Sequence, residues 1–279
     1  MRPKRSLTWW SLPLSVGAFL ALAWLERRRP LRRFVEPKLQ REVRNLAIAG
    51  VGAAVVQLVE TPVVESMLSI SKRKRWGVVR YLPLPRIAAS FLSLLLMDYS
   101  MYLWHELMHR ISLLWRFHLA HHSDLDMDAS TALRFHFGEL LLSVPWRAGQ
   151  IGLIGISASD YRLWQSLFLA SIIFHHSSFR LPLRVERLLG RVLVTPRMHA
   201  IHHSVVLEHS HSNYSSGLSL WDRFHGTLRL SVQQSGLELG VPLLREPNDV
   251  TLAKTFLVPF ASRPQLGDQS ADAAQQRSL

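Results

Sequence analysis

Cysteine is absent from the 279-residue sequence. This absence excludes disulfide bonds, thiolate metal ligands and cysteine nucleophiles, so any transition metal must be held by histidine, carboxylate or water. It does not indicate a compartment, because a protein without cysteine survives in either redox environment. A dinucleotide-binding motif is also missing, since Gly50-Val51-Gly52 lies in an apolar run without a third glycine or a preceding strand. The sequence contains no haem-binding signature.

Acidic residues are few: the sequence has 20 Asp and Glu against 33 Lys and Arg, which gives a formal net charge of +13. A basic balance can indicate nucleic-acid binding. Here the basic clusters at residues 27–29, 32–33 and 72–75 flank apolar segments, and this arrangement favours anionic lipid headgroups. We therefore predict a membrane partner and no nucleic-acid partner.

Charged residues are almost missing from five segments, which span residues 7–25, 46–59, 87–104, 139–158 and 163–174. Apolar runs of about 20 residues can cross the roughly 30 Å hydrocarbon core of a bilayer, whereas shorter runs are more often core helices or re-entrant segments. The pattern predicts an all-α integral membrane protein with about four transmembrane or half-spanning helices.

The N-terminal segment resembles a signal peptide but is predicted to be a retained membrane anchor. It ends in a charged run at residues 26–29 without a small-residue cleavage site. The positive-inside rule places both the 27–44 loop and the 72–75 cluster in the cytoplasm. Residues 46–70 are therefore expected to form a hairpin or an interfacial segment, with a bend at Pro62.

Four regions follow from these shifts in composition. Residues 1–44 are expected to form the anchor and a basic segment, and residues 45–230 a membrane domain whose motifs occupy residues 95–230. Residues 231–261 mix short apolar runs with Gly, Pro and Asn, which predicts a loop-rich peripheral segment. Residues 262–279 are polar and rich in small residues, which predicts a disordered tail.

The pattern His-x-x-His-His occurs twice, and two further histidines precede its first copy. In a helix, residues three and four apart share a face, so each copy projects three imidazoles from one turn. An unbroken helix from His105 to His118 would turn the two groups away from each other. A break near Ile111–Leu114 is therefore needed. The histidines of this set are His105, His109, His118, His121, His122, His199, His202 and His203.

This many imidazoles exceeds what one ion uses, because zinc sites take three or four protein ligands. We therefore predict two metal ions, held in a histidine-lined helical cap. Imidazole suits zinc, copper, iron and nickel, and the apolar surroundings together with the missing cysteine favour iron. His136 and His176 are candidates for additional ligands or supporting groups. The other histidines are expected at the polar surface, and they are His175, His209, His211 and His225.

A polar stripe precedes the first histidines on an otherwise apolar helix. Asp98, Tyr102, His105 and His109 recur at i, i+4, i+7 and i+11. An acid inside an apolar segment is costly and usually functional. Asp98 is therefore expected to accept the second ring N–H of His105, as carboxylates do at many metal sites. The alternative is a packing position whose acid pairs with an arginine elsewhere.

Six motifs in this order resemble those of the sterol desaturase / fatty acid hydroxylase superfamily of membrane di-iron oxygenases. They are HELMH at 105–109, HRISLLWRFHLAHHS at 109–123 with TALRFHFGE at 131–139, FHHSSFRLP at 174–182, TPRMHAIHHS at 195–204 and SNYSSGLSLWDRFHGT at 212–227. The resemblance adds His176 to the eight expected iron ligands. It also implies supporting roles near the reaction for Asp98, Tyr102, His136, Glu139 and Asn213. The sequence departs from the family pattern at Glu106, Ser178, Ser215 and His225. These departures change no histidine of the expected ligand set, and they bear on the identity of the substrate.

The resemblance implies O₂-dependent oxidation of an unactivated C–H bond of a lipid or sterol-like substrate. Two iron ions would be the cofactors, and a separate donor resembling cytochrome b5 or a ferredoxin would supply two electrons. Arginines near the boxes are expected to bind lipid headgroups or this donor, with interfacial snorkelling as the alternative. They are Arg110, Arg116, Arg134 and Arg197. A bacterial inner membrane is favoured over the endoplasmic reticulum.

Two other functions stay open at this point. One is a different reaction on the same scaffold, such as desaturation, ether-lipid cleavage or aldehyde deformylation, because the outcome depends on substrate placement. The other is a histidine-rich membrane metal transporter or sensor without oxygenase activity. Compact histidine motifs on helices, beside apolar segments, favour a fixed catalytic site over transport.

Overall fold

The helices follow the alternation of apolar and histidine-bearing segments along the chain. A computed structural model describes residues 8–261, with side chains from Val16 onward. Thirteen α-helices and no strands occur in this range. The longer ones are α1 (Thr8–Arg28), α2 (Lys38–Val55), α3 (Thr61–Lys74), α5 (Arg86–Arg110), α6 (Ser112–His122), α7 (Phe137–Ile154) and α8 (Ala158–His176). The shorter ones are α4 (Val78–Tyr81), α9 (Leu183–Leu189), α10 (Pro196–His202), α11 (Leu207–Ser210), α12 (Leu220–His225) and α13 (Leu252–Leu257).

Two helical segments are long and apolar enough to cross a membrane. They span Lys38–Tyr81 and Arg86–Arg110, and only 22% and 28% of their most apolar windows are buried inside the protein. Large apolar side chains on their outer faces, such as Leu58, Ile87 and Phe91, are exposed. This exposure suits contact with lipid. The described residues thus provide two such segments, against about four expected. The expected tail at residues 262–279 lies outside the described residues.

The expected hairpin within residues 46–70 is wrong, because the helix continues through Pro62. A π-helical turn at Val56–Glu60 joins α2 directly to α3, and the residues on either side of it keep right-handed helical dihedrals. Pro62 lacks the N–H that would close an α-helical bond to the carbonyl of Leu58. The widened turn accommodates this missing bond, so the proline does not reverse the chain.

Helices α5, α7 and α8 enclose the main hydrophobic core. Met97, Met101 and Trp104 of α5 pack with Ile151 of α7 and Trp164 of α8 in one buried cluster. Helix α3 packs along α7, and α1 packs along α8. This bundle brings the C-terminal ends of α5 and α8 and the N-terminal end of α7 to one end of the molecule, where the histidines lie.

The expected break after His109 is confirmed at a single residue. Ile111 has extended dihedrals (φ −99°, ψ 113°), and it separates α5 from α6. Helix α6 then packs back against α5, and the two histidine groups face each other. On its other side, α6 contacts the segment after residue 230, where Trp115 and Leu119 pack against Val258.

A buried ion-pair network, centred on Arg41 of α2, fixes the loop between α6 and α7. The Arg41 guanidinium donates to Asp124 over 2.9 Å and also to Asp128, and all three side chains are fully buried. Asn45 donates to the same Asp124 oxygen over 2.9 Å and accepts from Arg134 over 2.8 Å. The network ties the residues that follow the first His-x-x-His-His copy to a membrane helix.

Replacing Arg41 with Ala is expected to lower the free energy of unfolding by about 3–5 kcal/mol, because two buried carboxylates lose their partner. Unfolding of the detergent-solubilised protein by urea or heat measures this. Arg27→Ala is the control, since the Arg27–Glu42 pair is largely exposed and such pairs contribute roughly 0–1 kcal/mol. Equal losses in the two variants would contradict a structural role for the network.

Candidate metal centre

Nine buried histidines from four helices converge at the end of the bundle. Helix α5 contributes two rings, α6 three and the end of α8 one, while α10 and its C-cap contribute three. Their relative exposures lie between 0 and 6%, so none is a surface residue. Thr195 begins α10 by accepting a hydrogen bond from the Met198 N–H, and Pro196 occupies the first helical turn. Because α10 begins here, His199 and His202 are three residues apart on one helix and share a face.

The rings fall into two adjacent groups, each of which could hold a metal ion. Within each group, the potential ligand atoms all lie within 4.8 Å of one another. The first group consists of His105, His109, His118, His122 and His202, and the second consists of His121, His176, His199 and His203. The parallel rings of His122 and His203, with centroids 4.2 Å apart, join the groups. The structure thus brings together all nine histidines that the sequence analysis assigned as ligands.

Backbone carbonyls orient three of these rings. The Nδ1–H of His105 donates to the Tyr214 carbonyl over 2.7 Å, that of His202 to Ser212 over 2.8 Å and that of His176 to Ile172 over 2.7 Å. A proton on Nδ1 leaves Nε2 as the acceptor. The three Nε2 lone pairs therefore point into the cluster, where ligands must be unprotonated.

Inward nitrogens of different rings approach each other closely. The Nε2 atoms of His202 and His105, both left as acceptors, are 3.0 Å apart, and those of His199 and His176 are also 3.0 Å apart. Several further buried ring nitrogens have no hydrogen-bond partner, among them both of His109 and the Nε2 of His118 and His122. Buried polar atoms normally have partners. Converging lone pairs of this kind fit bound transition-metal ions, so the residues present suit a two-metal centre.

Burial, reinforced by the neighbouring imidazoles, holds the pKa of five of these histidines, on α6, on α10 and at its C-cap, well below the usual range, so these five rings are neutral near pH 7. They are His121, His122, His199, His202 and His203. Burial lowers the pKa of His176 to about 4. Neutral imidazole is the form that binds a metal.

Glu139, the third residue of α7, supports the first group. Its Oε1 accepts the Nδ1–H of His118 over 3.1 Å, which directs Nε2 of that ring inward. A carboxylate behind a metal-binding histidine fixes the ring and raises its basicity. Among the residues expected to support the site, Glu139 makes this direct contact with a histidine of the cluster.

Asp98 does not contact His105, so the expected hydrogen bond between them is wrong. Its Oδ2 accepts from the Trp221 indole over 2.7 Å and from the Leu218 N–H over 3.0 Å. A Cβ at Gly217 would lie 2.2 Å from Asp98 Oδ1, so only glycine allows this approach. Asp98 therefore holds the 217–221 turn against α5.

Tyr102, His136 and Asn213 lie around the cluster rather than in it. The Tyr102 hydroxyl is 3.2 Å from Thr227 Oγ1, and its ring meets the edge of Tyr214. His136 caps α7 through the Gly138 N–H and contacts the Phe256 carbonyl. Asn213 has a left-handed backbone (φ 55°) and donates to the carbonyls of Met198 and Arg229. These contacts position loops.

His175 is buried, which contradicts its expected place at the surface. It is 1% exposed, its ring centroid lies 4.0 Å from that of His199, and its Nδ1 has no partner. Consecutive helical residues normally face different ways, so with His176 in the site His175 was expected to face the surface. Here α10 covers both. His211 and His225 are exposed as expected, and His209 is partly buried.

The arginines expected at a docking surface differ in their environments. Arg134 is fully buried and donates to the Ala120 carbonyl and to Asn45, so its expected surface role is wrong. Arg116 donates to two C-terminal carbonyls, and Arg197 pairs with Glu186. Arg110 is 61% exposed beside Glu106. Of these four, Arg110 is the one open to a partner.

Sequence reasoning missed two residues that shape the site. Tyr214 supplies the carbonyl for His105, and its ring contacts His109 at a centroid distance of 5.3 Å. Asp222 accepts the N–H groups of Tyr214 and Ser215 over 2.8 and 3.1 Å, which fixes that turn. The polar run at 212–216, followed by the isolated acid Asp222, is the sequence feature that could have indicated these two residues.

A carboxylate group outside the cluster is occupied by a lysine. Glu26, Glu42 and Asp128 lie close enough to hold a cation. The Lys38 ammonium is 2.7 Å from Glu26 and 3.2 Å from Asp128, so it already neutralises them. The histidine groups are thus the metal candidates in the described part of the chain.

The fold and this centre define a class: helical proteins with membrane-type apolar segments and a buried pair of all-histidine groups. Residues 90–227 match the fatty acid hydroxylase family. The chain belongs to this family through that region, within the superfamily that its motifs resemble. No solved structure matches the chain.

Curated relatives are similar to about half of the chain. Ornithine lipid hydroxylase OlsE of Rhizobium tropici is 32% identical over 152 residues, which are 54% of this chain and 44% of that protein. Alkylglycerol monooxygenase of Xenopus tropicalis is 29% identical over 156 residues, 54% of this chain and 33% of that protein. The human alkylglycerol monooxygenase is 28% identical over 132 residues, 47% of this chain and 28% of that protein. The chain therefore spans less than half the length of these relatives.

Replacing His202 with Ala in the first group, or His121 in the second, is expected to lower bound metal from about two ions per chain to one or none. Each change removes an inward nitrogen from a buried site. Elemental analysis of the purified protein measures the stoichiometry. His225→Phe is the control, because His225 is exposed and stacks on Tyr102 outside the cluster. Unchanged metal content in both alanine variants would refute the assignment.

Glu139→Ala is expected to weaken metal binding by roughly 10- to 100-fold, the usual effect of removing a carboxylate behind a metal ligand. Glu139→Gln keeps an acceptor for the His118 Nδ1–H and should fall between the wild type and Ala. Competition with a chelator measures the affinity. An affinity unchanged by Glu139→Ala would show that the contact does not orient His118.

Proposed function

We propose that this protein is a di-iron oxygenase that oxidises an unactivated C–H bond of a membrane lipid. The observation that carries the proposal is the position of the two histidine groups beside an apolar cavity. The cavity has a volume of about 100 Å³ and lies between α5, α7 and α8. His105, His118, His121, His175, His176 and His199 line one end of it. A substrate carbon in this cavity lies next to both groups.

The walls of the cavity keep water away from the site. Met101 and Trp104 of α5 face Phe135, and Phe168 of α8 lines the same space. Apolar walls suit an alkyl chain, and exclusion of water protects a reactive oxidant from side reactions. These residues hold the chain by packing, while the polar groups that surround the histidines keep the ligands in place.

Two iron ions, held by His105, His109, His118, His122 and His202 on one side and His121, His176, His199 and His203 on the other, would supply activation of O₂. In the overall reaction, one oxygen atom enters the C–H bond and the other leaves as water, with two electrons and two protons from outside. Glu139 accepts the Nδ1–H of His118 and keeps that ring oriented. Asp98, Tyr102, His136 and Asn213 act indirectly, by fixing the turns that bear on the cluster.

The relatives support a polar lipid as substrate, since one is named an ornithine lipid hydroxylase and the others alkylglycerol monooxygenases. We assign the activity to residues 45–230, with its motifs in 95–230. A separate cytochrome b5-like or ferredoxin-like donor supplies the electrons, and exposed Arg110 is one contact for an acidic surface. A bacterial inner membrane is the proposed location, because OlsE is bacterial.

Cells with and without the protein are expected to differ in one lipid, whose mass rises by one oxygen atom in its presence. Lipid mass spectrometry detects this change, and oxygen consumption by the iron-loaded protein with a chemical reductant should then depend on that lipid. His121→Ala provides the inactive control. A product that lacks two hydrogens would indicate desaturation. Full activity in His121→Ala, or a single exchangeable ion without oxygen consumption, would overturn the proposal and favour a transporter or sensor.

A further inference from the structure

A charged pair closes the end of the cavity that lies away from the histidines. Glu139, Ser143 and Arg147 line the cavity at successive turns of α7. Eight residues of helix separate Glu139 from Arg147, a distance of about 12 Å. Arg147 is 9% exposed, and its Nε lies 3.5 Å from Oε1 of Glu60, which is 7% exposed. Buried ionisable residues in an apolar layer are costly and usually serve a function.

The Arg147 guanidinium is held firmly but incompletely satisfied. Its Nη1 donates to Gln150 Oε1 over 2.8 Å and to the weak acceptor Met101 Sδ over 3.2 Å. Its plane stacks on Trp164 at 4.8 Å. Nε has no hydrogen-bond partner, and Nη2 makes no hydrogen bond among the described residues. Guanidinium has five N–H donors. A fixed donor with unused N–H groups thus borders the cavity.

Further unpartnered polar atoms lie beside this pair. The Tyr161 hydroxyl and the Trp164 indole N–H are buried without partners, and the two side chains are 2% and 3% exposed. Glu60 occupies the last position of the π-helical turn. Such turns often occur at functional sites. A layer that served packing alone would leave fewer polar groups unsatisfied, because each costs free energy.

The net charge of the Arg147–Glu60 pair determines which kind of group can bind beside it. Glu60 already balances Arg147, so the pair is neutral as a whole. Adding a carboxylate would leave an uncompensated negative charge in an apolar environment, which is strongly unfavourable. A neutral acceptor, such as an ester or amide carbonyl, satisfies the free N–H groups without adding charge.

We propose that Arg147, balanced by Glu60, is a specificity-determining residue that binds a neutral ester or amide carbonyl of the lipid whose oxidised carbon lies among the histidines. That this lipid is oxidised rests on the proposed function, whereas the binding preference rests on the cavity alone. It defines the substrate class as a lipid with a neutral carbonyl at the Arg147 end of the cavity, two turns of α7 away from Glu139. A simple hydrocarbon or a free fatty acid is disfavoured.

The test compares three probes of equal chain length: octadecane, methyl stearate and stearate. Competition binding to the metal-loaded protein in detergent gives their relative affinities without turnover. The wild type should prefer methyl stearate over both others by about tenfold or more, the usual effect of a hydrogen bond to a charged group. Arg147→Met should remove the preference over octadecane. Glu60→Gln leaves Arg147 unbalanced and should shift the preference towards stearate.

Arg80→Met is the matched control, because Arg80 donates to the Ile156 carbonyl and does not line the cavity. The double variant Arg147→Met/Glu60→Gln avoids an unpaired buried carboxylate, and it should also lose the ester preference if Arg147→Met alone does not fold. An ester preference that survives in the double variant, or no shift towards stearate in Glu60→Gln, would overturn the inference.

Oxygen consumption with the same probes separates this inference from the proposed function. If no probe supports turnover but the binding preferences change as expected, the lipid site stands and the oxygenase assignment fails. If turnover occurs and the double variant keeps the same ratio of kcat/KM between methyl stearate and octadecane, the oxygenase stands and the role of Arg147 fails.

Discussion

Nine buried imidazole rings packed together are the constraint on which this structure depends. Four of them give their Nδ1–H to fixed acceptors, three backbone carbonyls and Glu139. The Nε2 atoms of these four rings are then acceptors. Two such acceptors, on His105 and His202, lie 3.0 Å apart, and they repel each other unless a cation lies between them. Metal bound by these rings would therefore be coupled to folding in this region.

The rest of the cap serves to keep these rings in place. The turn at 212–216 supplies carbonyls to His105 and His202, and Asp222 holds that turn through its backbone N–H groups. On the opposite side, Arg41 anchors the loop after α6 through buried ion pairs. Tyr214 lies 109 residues from His105, and Arg41 lies 83 residues from Asp124. The geometry of the centre thus depends on the whole bundle as well as on the ligands.

The histidine groups were predictable from sequence because helical spacing alone places i and i+4 rings on one face. The break at Ile111 followed from the same geometry. Three features could not be derived in this way. The Asp98 contact depends on a turn more than a hundred residues away. The burial of His175 depends on α10, which covers it. The continuous helix through Pro62 depends on a π turn, which has no reliable signature in residue spacing.

Lys38 bears on how the protein distinguishes metals in a cell. Magnesium and calcium prefer clusters of oxygen ligands, and they are far more abundant than free iron. Glu26, Glu42 and Asp128 would form such a cluster, but a lysine of the same chain occupies it. The histidine groups offer these hard cations only nitrogen. Among the described residues, the two histidine groups are thus the ones left to hold a metal, and their nitrogen donors suit transition metals better than magnesium or calcium.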